Sequence, residues 1–212
     1  MARETLSRTK VLDSALRLAD EQGLSGVSMR KLAAELGVEA MSLYNHVANK
    51  RDLLNGVAAR VFESIPLPDE SLPWDQRLEA AAKAAFGVFN RHPAVVRALV
   101  SEQANPLSRG ALRLIDAILG ALLEAGLTER HAARAYRALL GMLYGAVLVG
   151  SADLPGGGAE ASVEWFRETV TERELPHLHR TLPELSKGDC VQDFEFQLAL
   201  FLGGLRAGGR CG

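Results

Sequence analysis

The sequence predicts an all-α protein, with a small N-terminal helical domain followed by a larger helical domain. Apolar residues recur at helical spacing through most of the chain, and no stretch alternates apolar and polar residues as a strand does. Three prolines between positions 66 and 73 exclude a continuous helix there, which places the domains at 1–64 and 65–212. The chain has 212 residues, 48% of them hydrophobic and 24% charged, an ordinary globular composition with enough length for a substantial core.

The most informative segment runs from Ser28 to Lys50. Its serine can cap a helix start, and Gly37 supplies a residue that tolerates a left-handed turn. A second short helix is predicted from about Ala40 to His46, and Asn49 then caps another helix, with Asp52 three residues on as in a capping box. Two short helices joined by a tight glycine turn predict a helix-turn-helix, whose second helix enters the DNA major groove.

Helices are predicted on both sides of this segment. The first covers about Leu6 to Gln22 and ends at Gly23, and the fourth covers residues 50–64. Behind the domain boundary the pattern predicts a short helix after the break at His92-Pro93, a flexible loop at Pro155–Gly158, and longer helices over Trp74–Arg91, Leu107–Ala125, Glu129–Ala152, Val163–Leu175 and 191–205.

The run LAAELGVEAMSLYNHVANKRDLL, from Leu32 to Leu54, resembles the DNA-reading segment of the tetracycline-repressor (TetR) family of bacterial regulators. The matching residues, in order, are Leu36-Gly37-Val38, Leu43-Tyr44, His46-Val47, Asn49-Lys50 and Leu53-Leu54. Near the C-terminus, Leu175-Pro176-His177-Leu178 and the stretch from Asp193 to Leu198 resemble the subgroup that includes the tetracycline repressors. A helix-turn-helix pattern alone is weakly specific, but this resemblance extends over the whole chain.

The resemblance implies a set of DNA-contacting residues. Arg30 and Asn45 carry the side chains that read guanine and adenine, and Ala40 and Met41 can meet thymine methyl groups. For Tyr44, partial burial in the small domain is the alternative to a DNA contact. The full predicted set is Arg30, Lys31, Ala40, Met41, Ser42, Tyr44, Asn45, His46 and Lys50, of which Ser42, Tyr44, His46 and Lys50 match positions that touch phosphate or sugar.

The net charge of −2 does not by itself indicate a nucleic-acid partner. Residues 1–63 hold nine Lys and Arg against eight Asp and Glu, or +1, and the remainder holds fifteen against eighteen, or −3. The local charge matters more, because Arg30, Lys31, Lys50 and Arg51 lie in or beside the helix-turn-helix, where phosphates would be. Arg8 could also reach a phosphate, although a solvated basic end of the first helix is the simpler interpretation.

Several features bound the setting of the protein. Its two cysteines, Cys190 and Cys211, are too few for a disulfide framework or a zinc site, which favours a reducing cytoplasm. No apolar run reaches the roughly 18 residues of a membrane span, and residues 1–10 lack the apolar segment of a secretory signal. No membrane partner, metal or cofactor is predicted.

The segment 191–205 is apolar nearly all round, so it must be covered on most sides. The helix over residues 132–152 is similarly apolar. Both helices are either core of one subunit or, as the resemblance implies, one half of a four-helix interface with a second copy, and we favour the interface. The predicted interface residues are Leu139, Leu143, Phe194, Leu198, Phe201 and Leu205.

The larger domain carries aromatic and methionine side chains that could line an apolar ligand cavity or simply fill the core. They are Phe86, Phe89, Leu99, Leu114, Tyr136, Met142 and Tyr144. Tetracycline repressors hold a magnesium-bound drug through a histidine and an asparagine, but those positions fall near Leu99 and Ala81 here. The sequence therefore predicts a mostly apolar effector that binds without metal.

Together these features predict a homodimeric transcriptional regulator, most simply a repressor that a small molecule releases from a palindromic operator in double-stranded DNA. One alternative is a helical ligand-binding module that has no DNA role. Another is an all-α enzyme, which the sequence disfavours because it shows no nucleophile–base constellation, phosphate-binding glycine loop or HExxH motif. No catalytic residue is predicted.

Overall fold

The computed structural model describes residues 6–101, 104–105, 108–150, 169–185 and 189–208. In these ranges all regular structure is α-helical, as the sequence predicted. The helices are α1 (Arg8–Gly26), α2 (Met29–Leu36), α3 (Ala40–Leu43), α4 (Lys50–Glu63), α5 (Trp74–Arg91), α6 (Pro93–Val100), α7 (Arg109–Glu124), α8 (Glu129–Gly150), α9 (Pro176–Leu185) and α10 (Cys190–Gly208).

The predicted caps fix the ends of the short helices at the N-terminus. Ser28 Oγ accepts a hydrogen bond from the Lys31 amide at 3.2 Å, and Asn49 Oδ1 accepts one from the Asp52 amide at 2.9 Å. Gly37 ends α2 at φ 65°, the left-handed conformation that favours glycine. Asp52 completes a variant of the capping box, because its carboxylate accepts from the Ala48 amide at 2.9 Å.

Among the N-terminal helices, two boundaries differ from the prediction by three residues or more. The recognition helix α3 ends at Leu43 rather than His46, because the amides of His46 and Val47 both bond to the Leu43 carbonyl and tighten the chain into a turn. Gly23 does interrupt the first helix, at φ 70° and ψ 175°, but helical structure resumes beyond it and α1 is counted to Gly26.

Helix α4 connects the two halves of the molecule. It packs against α1 on one side and against α5, α6 and α7 on the other, so that one apolar core continues from α1 to α10. Polar contacts cross the same junction: His92 Nδ1 lies 2.9 Å from Asp20 Oδ2, and the Asn105 amide donates to Asn55 Oδ1 at 2.7 Å. We call helices α5–α10 the helical body and helices α1–α3 the N-terminal head. A shift of the body would therefore displace the head through these contacts.

Helix α8 is the central helix of the body and packs against α5, α6, α7 and α10. Its length and composition alone would allow it to cross a membrane. In the fold its inner side, with Leu139, Leu143 and Val147, belongs to the core, while Arg134 and Arg137 lie on its exposed side. The helix thus has the amphipathic placement of a bundle helix.

Four of the six predicted dimer-interface residues are core residues of a single protomer. Leu139, Leu143, Phe194 and Leu198 are fully buried within one chain, which leaves them no surface for a second copy. Phe201 and Leu205 are half-buried and also pack against the core. The exposed large apolar side chains of these helices are instead Val149, Val191, Phe196 and Leu200. The sequence is apolar on both faces of α10, so its periodicity could not identify the inner one.

The predicted loop at Pro155–Gly158 and most of the predicted helix Val163–Leu175 lie outside the described residues. In the part that is described, the chain turns at residues 172–174 and is not helical up to Leu175. Pro176 accounts for the last of these residues, because Leu175 precedes a proline and is disfavoured in helical conformation, while proline itself suits the first position of α9.

Candidate DNA interface and effector core

The recognition helix has one structural face and one exposed face. Leu43 and Val47 are fully buried and anchor it against the N-terminal core. Met41 lies on the opposite side and is 73% exposed. Tyr44 and Asn45 follow it by three and four residues, which places them on the same exposed side. Tyr44 is 46% exposed, which favours its predicted role at the surface over burial in the core.

Exposed cationic side chains lie on the two helices that adjoin the recognition helix in the chain. Arg30 and Lys31 lie on α2, and Lys50 and Arg51 open α4, all of them exposed. Lys31 Nζ is held by Gln22 Oε1 at 3.1 Å. Ser42, His46 and Ala40 are half-buried, so they lie at the margin of the exposed face. The predicted DNA-contacting residues therefore occupy α2, α3, the turn that follows α3 and the start of α4, with exposed basic groups that could meet phosphates.

Arg8 holds the end of the recognition helix, a role that the sequence did not reveal. Its guanidinium donates to the His46 carbonyl and forms a two-bond pair with Asp52, at 2.9 Å and 3.2 Å. The hydrogen bond from Arg8, followed by the one from the Ala48 amide, lowers the pKa of the Asp52 carboxyl. The network joins α1 and α4 to the turn that follows α3. No local signal could predict it, because Arg8 and Asp52 are far apart in the sequence.

Two further ion pairs hold α1 against its neighbours. Arg17 Nη2 lies 2.7 Å from Glu35 Oε1 of α2, and Arg60 Nη2 of α4 lies 2.9 Å from Asp13 Oδ1. Both pairs are largely exposed, so each adds little stability by itself. Their effect is geometric: α1 serves as a brace that orients the helix-turn-helix.

Part of the predicted effector lining is packed core. Phe86 stacks on Phe194 with ring centroids 4.1 Å apart and planes 7° apart. Phe89 meets Phe62 edge-on at 5.2 Å and Tyr144 edge-on at 5.7 Å. Phe86, Phe89 and Leu114 are buried. These three side chains match the alternative interpretation, in which they fill the core.

The other four predicted residues, Leu99, Tyr136, Met142 and Tyr144, are half-buried at the edge of the core. Burial, with a smaller contribution from Tyr136, raises the pKa of Tyr144 to about 12, and burial also raises the pKa of Tyr136. Both phenols are thus protonated donors at neutral pH, and within the described part of the chain neither has a hydrogen-bond partner. Ala81 is buried, and no group of three metal-ligating side chains occurs among the described residues.

A braced three-helix head with an exposed, cation-flanked recognition helix, carried on a helical body, defines a helix-turn-helix transcriptional regulator. Family comparison makes the class specific. The family profile described as bacterial regulatory proteins, tetR family, matches residues 11–57, and the tetracyclin repressor-like C-terminal domain matches residues 66–208. The chain belongs to the TetR family of transcriptional regulators, which confirms the resemblance drawn from its sequence.

Individual relatives support the same assignment. The HTH-type transcriptional repressor DrrR1 of Streptomyces coeruleorubidus is 33% identical over 67% of this chain, although the match spans only 53% of that protein. An HTH-type transcriptional regulator of Saccharopolyspora erythraea is 33% identical, with 95% of this chain and 85% of that protein covered. The crystal structure of Streptomyces coelicolor ActR in complex with actinorhodin superposes with a TM-score of 0.83 at 25% identity, covering 97% of this chain and 99% of that one.

Proposed function

We propose that the protein is a homodimeric repressor that binds a twofold-symmetric operator and is released from it by a small, mostly apolar molecule. The observation that carries the proposal is the exposed face of Met41, Tyr44 and Asn45, with exposed basic side chains on the adjoining helices α2 and α4. A surface of this kind on a braced helix suits insertion into a major groove. Repression is the named role of the relative DrrR1.

The dimer is supported by the outer surface of α10 and α8. Phe196 and Leu200 are 67% and 62% exposed and lie four residues apart on one face of α10. Val149 of α8 is more exposed still, and the exposed residues Ala138 and Gly141 are small enough for close helix approach. Large apolar side chains grouped on a solvent-exposed surface indicate an interface. Binding to a twofold-symmetric operator requires a second copy of the chain, which would cover this surface.

The effector proposal rests on the two phenols of the body. Tyr136 and Tyr144 offer protonated O–H donors; the ring of Tyr144 lies against that of Phe89, and Met142 is half-buried at the edge of the same core. This combination suits a ring-bearing, mostly apolar molecule that presents a carbonyl or hydroxyl acceptor, without metal. ActR, the similar structure, holds actinorhodin. Ligand binding would favour conformers in which α4, which packs against α5, α6 and α7, no longer presents the two recognition helices at operator spacing.

The test is selection of duplex DNA by the purified full chain from a random library, followed by footprinting. We expect a protected palindrome and an affinity that falls steeply with salt. Aromatic natural products are then screened for release, with and without magnesium. Recovery of no duplex would contradict the proposed function and, if ligands still bound, would favour the ligand-binding module without a DNA role. Release only by a metal-chelated tetracycline would contradict the effector class.

A Tyr144→Phe variant isolates the effector contact. It removes one donor and leaves the ring against Phe89, so operator affinity should match the wild type while the ligand concentration needed for release rises about tenfold. The matched control is Tyr44→Phe, which changes a phenol in the DNA-facing head and should leave ligand binding unaltered. Equal release by the Tyr144→Phe and wild-type proteins would show that the phenol does not contact the effector.

A further inference from the structure

Met41 is the most exposed large apolar side chain of the recognition helix. The sequence offered both Ala40 and Met41 as apolar DNA contacts, and the structure separates them. Ala40 is half-buried and packs against the N-terminal core, whereas Met41 is 73% exposed and does not pack against it. Only Met41 thus has an apolar surface that is fully available to an outside partner.

The position of Met41 decides which partner that is. It is the second residue of α3, in the first turn of the recognition helix, and recognition helices contact base edges with their N-terminal residues. Tyr44 and Asn45 flank it on the same exposed face. Beyond that face lie basic side chains rather than further large apolar ones, so the surroundings suit duplex DNA rather than a protein.

The chemistry of methionine then limits which base Met41 can contact favourably. A thioether carries no N–H or O–H donor and is a poor acceptor, so it would desolvate a polar base edge without replacing its hydrogen bonds. The major groove presents one apolar group, the 5-methyl of thymine. The geometry points to Met41 as a specificity-determining residue that selects thymine, through this methyl group, at one position of each half-site. The inference rests on the proposed DNA-binding function and adds a base preference to it.

The test replaces each thymine of the selected operator in turn with deoxyuridine, which deletes only the methyl group. We expect one position per half-site at which the wild-type protein loses about fourfold in affinity, and about fifteenfold when both half-sites are changed. Met41→Ala should bind the thymine and deoxyuridine operators equally. Met41→Leu, which keeps an apolar side chain, should retain the preference.

A converse substitution tests the same methyl group by gain. At the identified position a cytosine pair should bind weakly, and 5-methylcytosine should recover affinity for the wild-type protein but not for Met41→Ala. The matched control is Lys50→Ala, which should weaken all operators alike and keep the methyl preference. Thermal melting should be the same for the Met41 variants and the wild type, because the side chain is exposed.

Three outcomes would overturn the inference. A deoxyuridine scan with no sensitive position would show that no methyl group is read. A penalty that persists undiminished in Met41→Ala would assign the methyl contact to another residue. Failure to select any duplex would remove the proposed function together with this inference, whereas the first two results leave that function intact.

Discussion

The N-terminal head and the C-terminal helix α10 are both rich in apolar residues. Their structures depend on different contacts: those of the head are local in the sequence, and those of α10 are distant. In the head, Ser28, Gly37 and Asn49 fix the helix ends through hydrogen bonds or a backbone conformation only a few residues away. In α10, Phe194 faces the core and Phe196 faces outward, although both are phenylalanines on one continuous helix. Local chemistry therefore sets where a helix begins and ends, while distant partners set which of its faces is buried.

The largest expected effect uses these two phenylalanines as a matched pair. Phe194 is 1% exposed and stacks on Phe86, so Phe194→Ala should lower the free energy of unfolding by about 3–5 kcal/mol. Phe196→Glu places a charge on the proposed dimer face without opening the core. It should leave the helical content intact and shift the protein to monomer, while operator affinity falls with the lost second half-site.

Urea unfolding by circular dichroism and sedimentation velocity distinguish the two variants. Unchanged unfolding of Phe194→Ala would mean that the core side of α10 is wrongly placed. A Phe196→Glu protein that sediments as the wild-type dimer would contradict the proposed interface.

The sequence could predict whatever depends on near neighbours. The helical periodicity, the caps at Ser28 and Asn49, and the left-handed Gly37 were all evident, and so was the helix-turn-helix that they build. The end of α3 was placed three residues too late, because a competing bond from the His46 amide to the Leu43 carbonyl has no sequence signature.

Two sets of residues have two possible roles that the sequence could not separate. Leu139 and Phe194 were assigned to an interface because apolar composition does not distinguish the core of one chain from a contact between two chains. For Phe86 and Phe89 the sequence left both a cavity lining and the core open, since aromatic side chains line cavities and fill cores alike. The ion pair of Arg8 with Asp52 depends on how α1 crosses α4, a packing geometry that single-sequence patterns do not encode.

A pair of glycines tests whether local backbone conformation fixes the helix end at Gly37. The expected changes in the free energy of unfolding are smaller than that of Phe194→Ala. Gly37 adopts φ 65°, so Gly37→Ala should destabilise the protein by about 1–2 kcal/mol through backbone strain, although no atom obstructs the new methyl group. Gly120 lies within α7 in helical conformation and is equally unobstructed, so Gly120→Ala should stabilise by about 0.5–1 kcal/mol. Thermal unfolding should therefore show shifts of opposite sign, and shifts of the same sign would contradict the local account of Gly37.

Arg8 tests a long-range contact within the head. Arg8→Ala removes the bonds to the His46 carbonyl and to Asp52, which are partly exposed to solvent, so the stability loss should be only about 1 kcal/mol. Operator affinity should fall several-fold, which is more than the small loss of folded protein would cause, because the turn after the recognition helix is no longer held in place. Arg17→Ala is the control, since it breaks a similar pair with Glu35 that does not contact that turn. Equal operator affinities for the two variants would contradict the proposal that Arg8 positions the recognition helix.

The smallest expected effect is the pH dependence of the same network. The bonds from Arg8 and the Ala48 amide lower the pKa of Asp52 in the folded state, so its stabilising contribution is complete above the unfolded carboxyl pKa of about 3.9 and is lost as pH falls through the lower folded value. The stability difference between the wild type and Asp52→Asn should accordingly be constant from about pH 5 to 8 and shrink in stronger acid. In an Arg8→Met background the Asp52→Asn substitution should matter less at every pH, because the main partner is already absent. Urea midpoints measured across this range provide the check, and a difference that instead grows toward acid would mean that the carboxylate of Asp52 is not the stabilised form.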